Sequence, residues 1–170
     1  FNLKETGFVN GKEGLENDIR YSVVGATYHP EVDYNAYSYS SGPWAKHPVD
    51  TVNYVSCHDN LTLWDKLTIS RPDASIEEKL AMNRLAASIV FTSQGIPFFL
   101  SGEEFARTKP VEGSDELSEN SYNLPLYTNS MKYDSLGEYK DLYKFYRGLI
   151  NFRKAHEGLR LGTTEEVQKA

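Results

Sequence analysis

Residues 50–67 read DTVNYVSCHDNLTLWDKL, and this stretch decides the fold. Its first seven residues are rich in β-branched and aromatic side chains and contain no glycine or proline, so they predict a β-strand over residues 50–56. Just beyond that strand come three polar residues, His58, Asp59 and Asn60, and then a predicted helical segment over residues 61–67. Three adjacent polar side chains at the end of a strand indicate a functional position.

The segment after Pro72 predicts a helix and then a second strand. Ser75 and Glu78 have the spacing of a capping box, in which each side chain bonds the other residue's backbone amide. Gly95 ends the helix, and residues 96–100 (IPFFL) form a short apolar run that is typical of a strand covered on both faces in a parallel sheet. The helix is predicted to bury a stripe of Met82, Leu85, Ala86, Ile89 and Val90.

The remaining segments flank this strand-helix-strand unit. Residues 15–24 predict a short helix, and residues 107–133 form a polar segment that is long for an ordinary connection. Ser135 and Glu138 predict a second capping box, which opens a last helix that ends near Gly158. Two parallel strands cannot bury both of their faces, so the chain is expected to be a slice of an α/β domain. The last helix is predicted to bury Leu142, Phe145, Tyr146, Leu149, Ile150 and Phe152.

Composition and charge narrow the classes of function. The 170 residues are 39% hydrophobic and 25% charged, which is typical of a globular domain. A net charge of −6 provides no basic field for phosphates, so no nucleic acid partner is expected. No apolar run approaches the roughly 20 residues that cross a bilayer, so no membrane partner is expected. One cysteine and four scattered histidines give no zinc spacing and no calcium loop is recognisable, so we expect no metal and no cofactor.

Functional side chains are expected just after the two strands, because parallel sheets place their active sites at the carboxyl ends of the strands. A carboxylate beside an imidazole can stabilise a cationic transition state, orient hydroxyl groups or orient a base, although His-Asp pairs also occur in caps and turns. A Cys57–His58 nucleophilic pair is disfavoured, because adjacent side chains of an extended segment diverge. The polar residues concerned are His58, Asp59 and Asn60 after the first strand, and Ser101, Glu103 and Glu104 after the second.

Four blocks of sequence, in order, resemble the α-amylase family of glycoside hydrolases and most closely its type I pullulanase branch. VNYVSCHDNLTLWDKL (residues 52–67) resembles the family's fourth conserved region, in which a strand ends in His-Asp-Asn. GFVNGKEGLENDIRYSVVG (7–25) resembles the segment before that strand, and SQGIPFFLSGEEFARTK (93–109) resembles the eighth strand and its exit. ENSYNLP (119–125) resembles the Asn-Ser-Tyr motif beyond it.

The resemblance implies a fold and an activity. The fold is the C-terminal portion of a (β/α)8 TIM barrel, with strands seven and eight and their flanking helices, which is incomplete as a stand-alone domain. Residues 1–160 then belong to the catalytic barrel, and residues 161–170 form a polar tail or the start of a linker. The activity is retaining hydrolysis of α-1,6-glucosidic bonds in pullulan, starch or glycogen. The alternatives are an α-amylase or another α-1,6-glucosidase of the same family, and a noncatalytic α-glucan-binding module.

The resemblance also implies roles for individual residues. Asp59 corresponds to the family's third carboxylate, which binds sugar hydroxyls more strongly as the ring distorts, and His58 donates a hydrogen bond to the same sugar. Asn60 contacts the neighbouring glucose. Tyr122 and Asn129 fit either substrate binding or surface packing.

The resemblance further implies that the chain is catalytically incompetent alone. In this family the nucleophile and the acid/base lie in Arg-x-Asp and Gly-Glu-Gly motifs on strands four and five, and neither motif occurs here. Glu103 and Glu104 match a supporting position at the exit of strand eight. The expected partners are an α-glucan and the rest of the barrel. The chain starts at Phe1, which predicts a position inside a longer protein, and exposed strand edges predict self-association or marginal stability.

Overall fold

The computed structural model describes residues 2–37 and 40–170. Two strands, β1 (Val52–Asn53) and β2 (Ile96–Pro97), pair in parallel with Val52 opposite Ile96, as the strand-helix-strand pattern predicted. Both are two residues long and therefore shorter than the predicted strands over residues 50–56 and 96–100. Strand residues are defined by ladder hydrogen bonds, and within the described part of the chain each strand has one partner.

Two helices form the crossover, α2 (Leu63–Ser70) and α3 (Ile76–Thr92). The capping box of α3 is confirmed, because Glu78 N donates to Ser75 Oγ at 3.2 Å and Ser75 N donates to Glu78 Oε2 at 2.7 Å. The predicted stripe is only partly right, since Leu85 is exposed and Met82 and Ile89 are half-buried. The helix packs between two helices rather than on one surface, and its buried residues are Asn83, Ala86, Ala87, Val90 and Phe91.

The C-terminal helices begin differently from the prediction. A short helix, α5 (Ser135–Glu138), has Asp134 at its N-cap without a side-chain cap bond, so the predicted second capping box is wrong. The chain bends at Tyr139, and α6 (Lys140–Ala155) begins after it. Leu142 and Tyr146 of α6 are buried as predicted, whereas Phe152 is exposed. The buried residue near the end of α6 is instead the neighbouring Arg153.

Arg153 is buried because its guanidinium binds the end of α3 and the entrance to β2. It donates to the carbonyl oxygens of Phe91 at 2.9 Å, Ser93 at 2.6 Å and Gly95 at 2.7 Å. The last carbonyls of a helix have no partner within the helix, and a cation near them also complements the helix dipole. Arg153 therefore joins α6 to the crossover at the point where β2 begins.

The two faces of the sheet differ in burial. On one face Phe99 packs in a cluster with Phe91 of α3 and Tyr146 of α6, with ring centroids 5.6 Å from each. On the other face the chain exposes four large side chains, and the rings of two of them meet edge to face at 6.0 Å. Among the described residues, the helices thus cover one face of the strand pair more fully than the other. The exposed residues are Val52, Tyr54, Ile96 and Phe98.

The remaining elements are short. Helix α1 (Glu16–Val23) confirms the helix predicted over residues 15–24. The long segment over residues 107–133 contains one helical turn, α4 (Leu126–Asn129), and α7 (Thr164–Val167) lies near the C-terminus. Through Leu161 N, which donates to Gln94 Oε1 at 2.9 Å, the C-terminal residues contact the crossover. Among residues 2–37 and 40–170, no helix is both long and apolar enough to cross a membrane.

Candidate functional site

A cavity of about 190 Å³ lies at the carboxyl ends of β1 and β2. It brings together His58 and Asp59, which lie in the loop that follows β1, with Tyr122 and Asn129 from the long segment after β2. Four of the five residues to which the family resemblance gave a possible catalytic or substrate-binding role therefore line one cavity. The fifth, Asn60, lines an adjacent cavity of about 320 Å³, which it shares with Asp59.

His58 and Asp59 present their polar atoms to solvent. Their side chains are 87% and 68% exposed, and His58 Nε2 lies 3.7 Å from Asp59 Oδ2. An imidazole offers an N–H donor and a carboxylate offers only acceptors, so the pair can hold hydroxyl groups from two directions. Cys57 lines the adjacent cavity and donates weakly to Asp59 O at 3.9 Å, so it is not paired with His58.

Behind these side chains lies a lysine that sequence reasoning missed. Lys109 is 2% exposed, and its Nζ donates to the carbonyl oxygens of Asn60 and, at 3.5 Å, of His58. Burial lowers the pKa of Lys109, and the nearby Asp65 carboxylate opposes that shift. Lysine is the residue type least expected to be buried, so no local pattern identified it.

The other wall of the cavity is braced by Arg107, which the sequence also did not reveal. Its guanidinium donates to Ser101 O at 3.0 Å and to Asn129 O at 2.9 Å. Asn129 Nδ2 in turn donates to the carbonyls of Ser121 at 2.7 Å and Leu124 at 3.0 Å. These bonds hold the segment that carries Tyr122, whose ring is 81% exposed at the rim of the cavity. The amide nitrogen of Asn129 thus braces the loop, and Tyr122 offers an open ring face.

Glu103 and Glu104 lie behind the cavity rather than on its surface. Glu103 is buried, and its carboxylate accepts a hydrogen bond from Ser56 Oγ at the end of β1. Burial raises the pKa of Glu103 from 4.5 to about 7. Glu104 Oε2 accepts from Gly102 N at 2.8 Å. This geometry fits the supporting position that the family motif implies for these glutamates.

The raised pKa of Glu103 predicts a pH-dependent stability. The folded chain holds the proton of the Glu103 carboxyl more tightly than the unfolded chain does. Its contribution to the stability of the fold is therefore complete below pH 4.5 and is lost as the pH rises through 7. We expect the free energy of unfolding to fall by about 3 kcal/mol across that window. Urea unfolding at pH 5 and pH 8 measures the difference. Glu103→Gln is expected to shrink it, and the exposed Glu165→Gln variant is expected to leave it unchanged. An equal pH dependence in all three proteins would contradict the assignment.

No group of three or more metal-ligating side chains occurs among the residues that the structure describes. The cavity presents a carboxylate, an imidazole, an amide and an aromatic ring, with the braced side chains of Arg107 and Lys109 in its wall. Such a set binds hydroxyl-rich neutral molecules, because the ring covers apolar C–H faces while the polar groups exchange hydrogen bonds with hydroxyls.

Comparison with known proteins finds pullulanases and an isoamylase among those that the chain resembles. No family model matches it. The pullulanase of Bacillus subtilis strain 168 is 33% identical over 169 residues, which cover 99% of this chain and 21% of that protein. The isoamylase of Pseudomonas amyloderamosa is 25% identical over 166 residues, covering 79% of this chain and 20% of that protein.

Solved structures of pullulanases also match the structure of this chain. The pullulanase of Paenibacillus barengoltzii, in complex with maltohexaose and α-cyclodextrin, matches with a TM-score of 0.85 and 41% identity over 99% of this chain and 24% of that chain. The type I pullulanase of Bacillus subtilis strain 168, in complex with maltose, matches with a TM-score of 0.87 and 32% identity over 99% of this chain and 22% of that chain. This chain thus spans between a fifth and a quarter of these proteins. It is a relative of the type I pullulanases of the α-amylase family of glycoside hydrolases, as its sequence motifs predicted.

Proposed function

We propose that the chain forms the last two strands of the catalytic (β/α)8 barrel of a glucan-debranching hydrolase, with residues 1–160 in that barrel. The observation that carries this proposal is the cavity at the carboxyl ends of β1 and β2, where His58, Asp59, Tyr122 and Asn129 meet. Barrel enzymes place their sites at this end of the strands. The relatives are named pullulanase and isoamylase, and several of their structures contain maltooligosaccharides.

The proposed chemistry is retaining hydrolysis of α-1,6-glucosidic bonds. Asp59 binds the hydroxyls of the reacting glucose and stabilises the positive charge of the oxocarbenium-like transition state. His58 donates an N–H to the same sugar, and Asn60 binds the neighbouring glucose from the adjacent cavity. The exposed ring of Tyr122 stacks on a further sugar.

The chain alone supplies only part of this machinery. Retaining hydrolysis needs two further roles, a nucleophile and an acid/base, carried by carboxyl groups about 5 Å apart. Among the described residues that line the cavity, Asp59 is the one carboxylate. The uncovered face of the sheet, with Val52 and Phe98 among its exposed residues, provides the surface on which the other strands would pack.

The test uses a chimera in which this chain replaces the matching segment of the Bacillus subtilis pullulanase, called the exchange chimera below. We expect the 170-residue chain to release no reducing ends from pullulan above a boiled control, and the exchange chimera to release them. We also expect the chimera to hydrolyse pullulan faster than amylose. A segment of the α-amylase type would not fit the geometry of an α-1,6 branch point, so this preference would distinguish the two origins. Hydrolysis of pullulan by the chain alone, or an inactive but folded chimera, would overturn the proposal.

A noncatalytic α-glucan-binding module is the second candidate. The favouring observation is that His58, Asp59 and Tyr122 already line a formed cavity within this chain. Titration of the chain with maltohexaose measures binding. Saturable binding together with an inactive, folded chimera would favour the module, whereas an active chimera favours the enzyme whether or not the chain binds alone.

A further inference from the structure

The turn that carries His58 and Asp59 rests on the buried ammonium group of Lys109. We propose that Lys109, fixed in place by Asp65, is a positioning residue that holds residues 58–60 in the conformation in which His58 and Asp59 face the cavity. The expected effect of Lys109 on catalysis rests on the proposed function, whereas its expected effect on the conformation of the turn does not.

The turn has an unusual backbone that hydrogen bonds from Lys109 stabilise. Asn60 has φ +60°, in the left-handed region that asparagine adopts more readily than most other residues besides glycine. The carbonyls of His58 and Asn60 both accept hydrogen bonds from Lys109 Nζ. An ammonium group carries three donors and can bind both carbonyls at once. Removal of the ammonium group would leave both carbonyls without this donor, and the turn would lose the two hydrogen bonds that connect it to Lys109.

Asp65 holds the lysine in position from the other side. This residue is fully buried at the first turn of α2, where its backbone N donates to Thr62 Oγ1 at 3.1 Å. Its carboxylate accepts hydrogen bonds from Thr108 Oγ1 and, at 2.9 Å, from the backbone N of Lys109. Burial raises the pKa of Asp65, and these bonds oppose the shift. The start of α2, the exit of β2 and the 58–60 turn are thereby joined at one point.

Two features indicate that Lys109 positions the turn and does not bind substrate itself. Its Nζ is already engaged by two carbonyl groups, and only 2% of the residue is exposed. Lys109 lines the same cavity as His58 and Asp59, but the side chains of those two residues are 87% and 68% exposed and reach the solvent. Lys109 therefore affects a bound substrate by positioning Asp59 and His58.

The first experiment needs no variant. In the 170-residue chain, 15N relaxation is expected to give residues 58–60 order parameters near the rigid value of about 0.85, and the Lys109 ammonium protons are expected to exchange slowly with water. A 58–60 turn as mobile as the exposed segment around Asp115, or a rapidly exchanging Lys109 ammonium, would overturn the proposal.

The second experiment removes the ammonium group. Lys109→Met in the same chain is expected to lower the order parameters of residues 58–60 below about 0.6 while those of α3 stay unchanged. Lys144→Met, which removes an exposed lysine paired with Asp141, is the matched control and is expected to leave the turn rigid. An unchanged turn in folded Lys109→Met would contradict the proposal. If Lys109→Met does not fold, the wild-type measurement decides.

The third experiment measures the consequence for catalysis in the exchange chimera. Lys109→Met is expected to lower kcat/KM for pullulan about tenfold, because an ordered binding loop then has to be formed at each turnover. In an Asp59→Asn background the same substitution is expected to have little further effect, since it acts through Asp59. If the losses of kcat/KM from Asp59→Asn and Lys109→Met were additive, Lys109 would not act through Asp59. A chimera that is inactive without any substitution would refute the proposed function and leave the relaxation result to decide this inference.

Discussion

The Asp59→Asn variant of the exchange chimera is expected to hydrolyse pullulan about 10³-fold more slowly than the chimera itself. The substitution keeps the size of the side chain and removes its charge. A carboxylate beside a developing oxocarbenium ion stabilises the transition state more than the ground state, so the loss should appear mainly in kcat. Initial rates of reducing-end release at saturating and limiting pullulan measure kcat and kcat/KM.

The matched control for this prediction is Asp115→Asn. Asp115 is an exposed aspartate in the long segment after β2 and is not one of the residues that line the cavity. We expect this variant to retain full activity. If Asp59→Asn kept more than about a tenth of the chimera's kcat, Asp59 would not stabilise the transition state, and the match to the family's third carboxylate would be wrong.

The Arg153→Met variant of the 170-residue chain is expected to lose about 4 kcal/mol of unfolding free energy. Three carbonyl oxygens, at the end of α3 and the start of β2, would lose a charged donor in a buried place. Methionine fills much of the volume of the arginine stem, so the loss would come from the hydrogen bonds more than from packing. Urea unfolding followed by circular dichroism measures the change.

Arg147→Met is the control for Arg153, because Arg147 lies on the same helix, α6, and is exposed. We expect it to change the unfolding free energy by less than about 0.5 kcal/mol. Arg153→Lys is expected to fall between the two, since an ammonium group cannot reproduce the planar fork of the guanidinium. A loss below about 1 kcal/mol for Arg153→Met would show that the three carbonyls find other partners.

Several features of the fold and site could be predicted from the sequence because they depend on neighbouring residues. The capping box of α3 requires only Ser75 and Glu78 three positions apart, and the helix over residues 15–24 follows from its own composition. The parallel pairing of β1 and β2 follows from two apolar runs separated by a helix. The position of His58 and Asp59 at a strand end came from the same local pattern.

Other features were decided by contacts between distant parts of the chain. Leu85 and Phe152 match a helical stripe yet are exposed, because the helices that pack on α3 and α6 select a rotated face. The second capping box failed because Asp134 occupies the N-cap of α5 and Ser135 is already its first helical residue. The two strands are short because β1 and β2 pair over two residues each, with Val52 opposite Ile96 and Asn53 opposite Pro97, and pairing between distant segments is not fixed by local sequence.

What the sequence by itself determined is thus the order of the elements, the parallel unit and the family motif at the end of β1. The tertiary structure alone decided which charged residues are buried, among them Lys109 beneath the 58–60 turn and Arg153 at the end of α3. Burial of a charge is favourable only where carbonyls or carboxylates from other segments already surround it. Those partners lie 49 residues away for the Lys109–Asn60 bond and 62 residues away for the Arg153–Phe91 bond, beyond the reach of any local pattern.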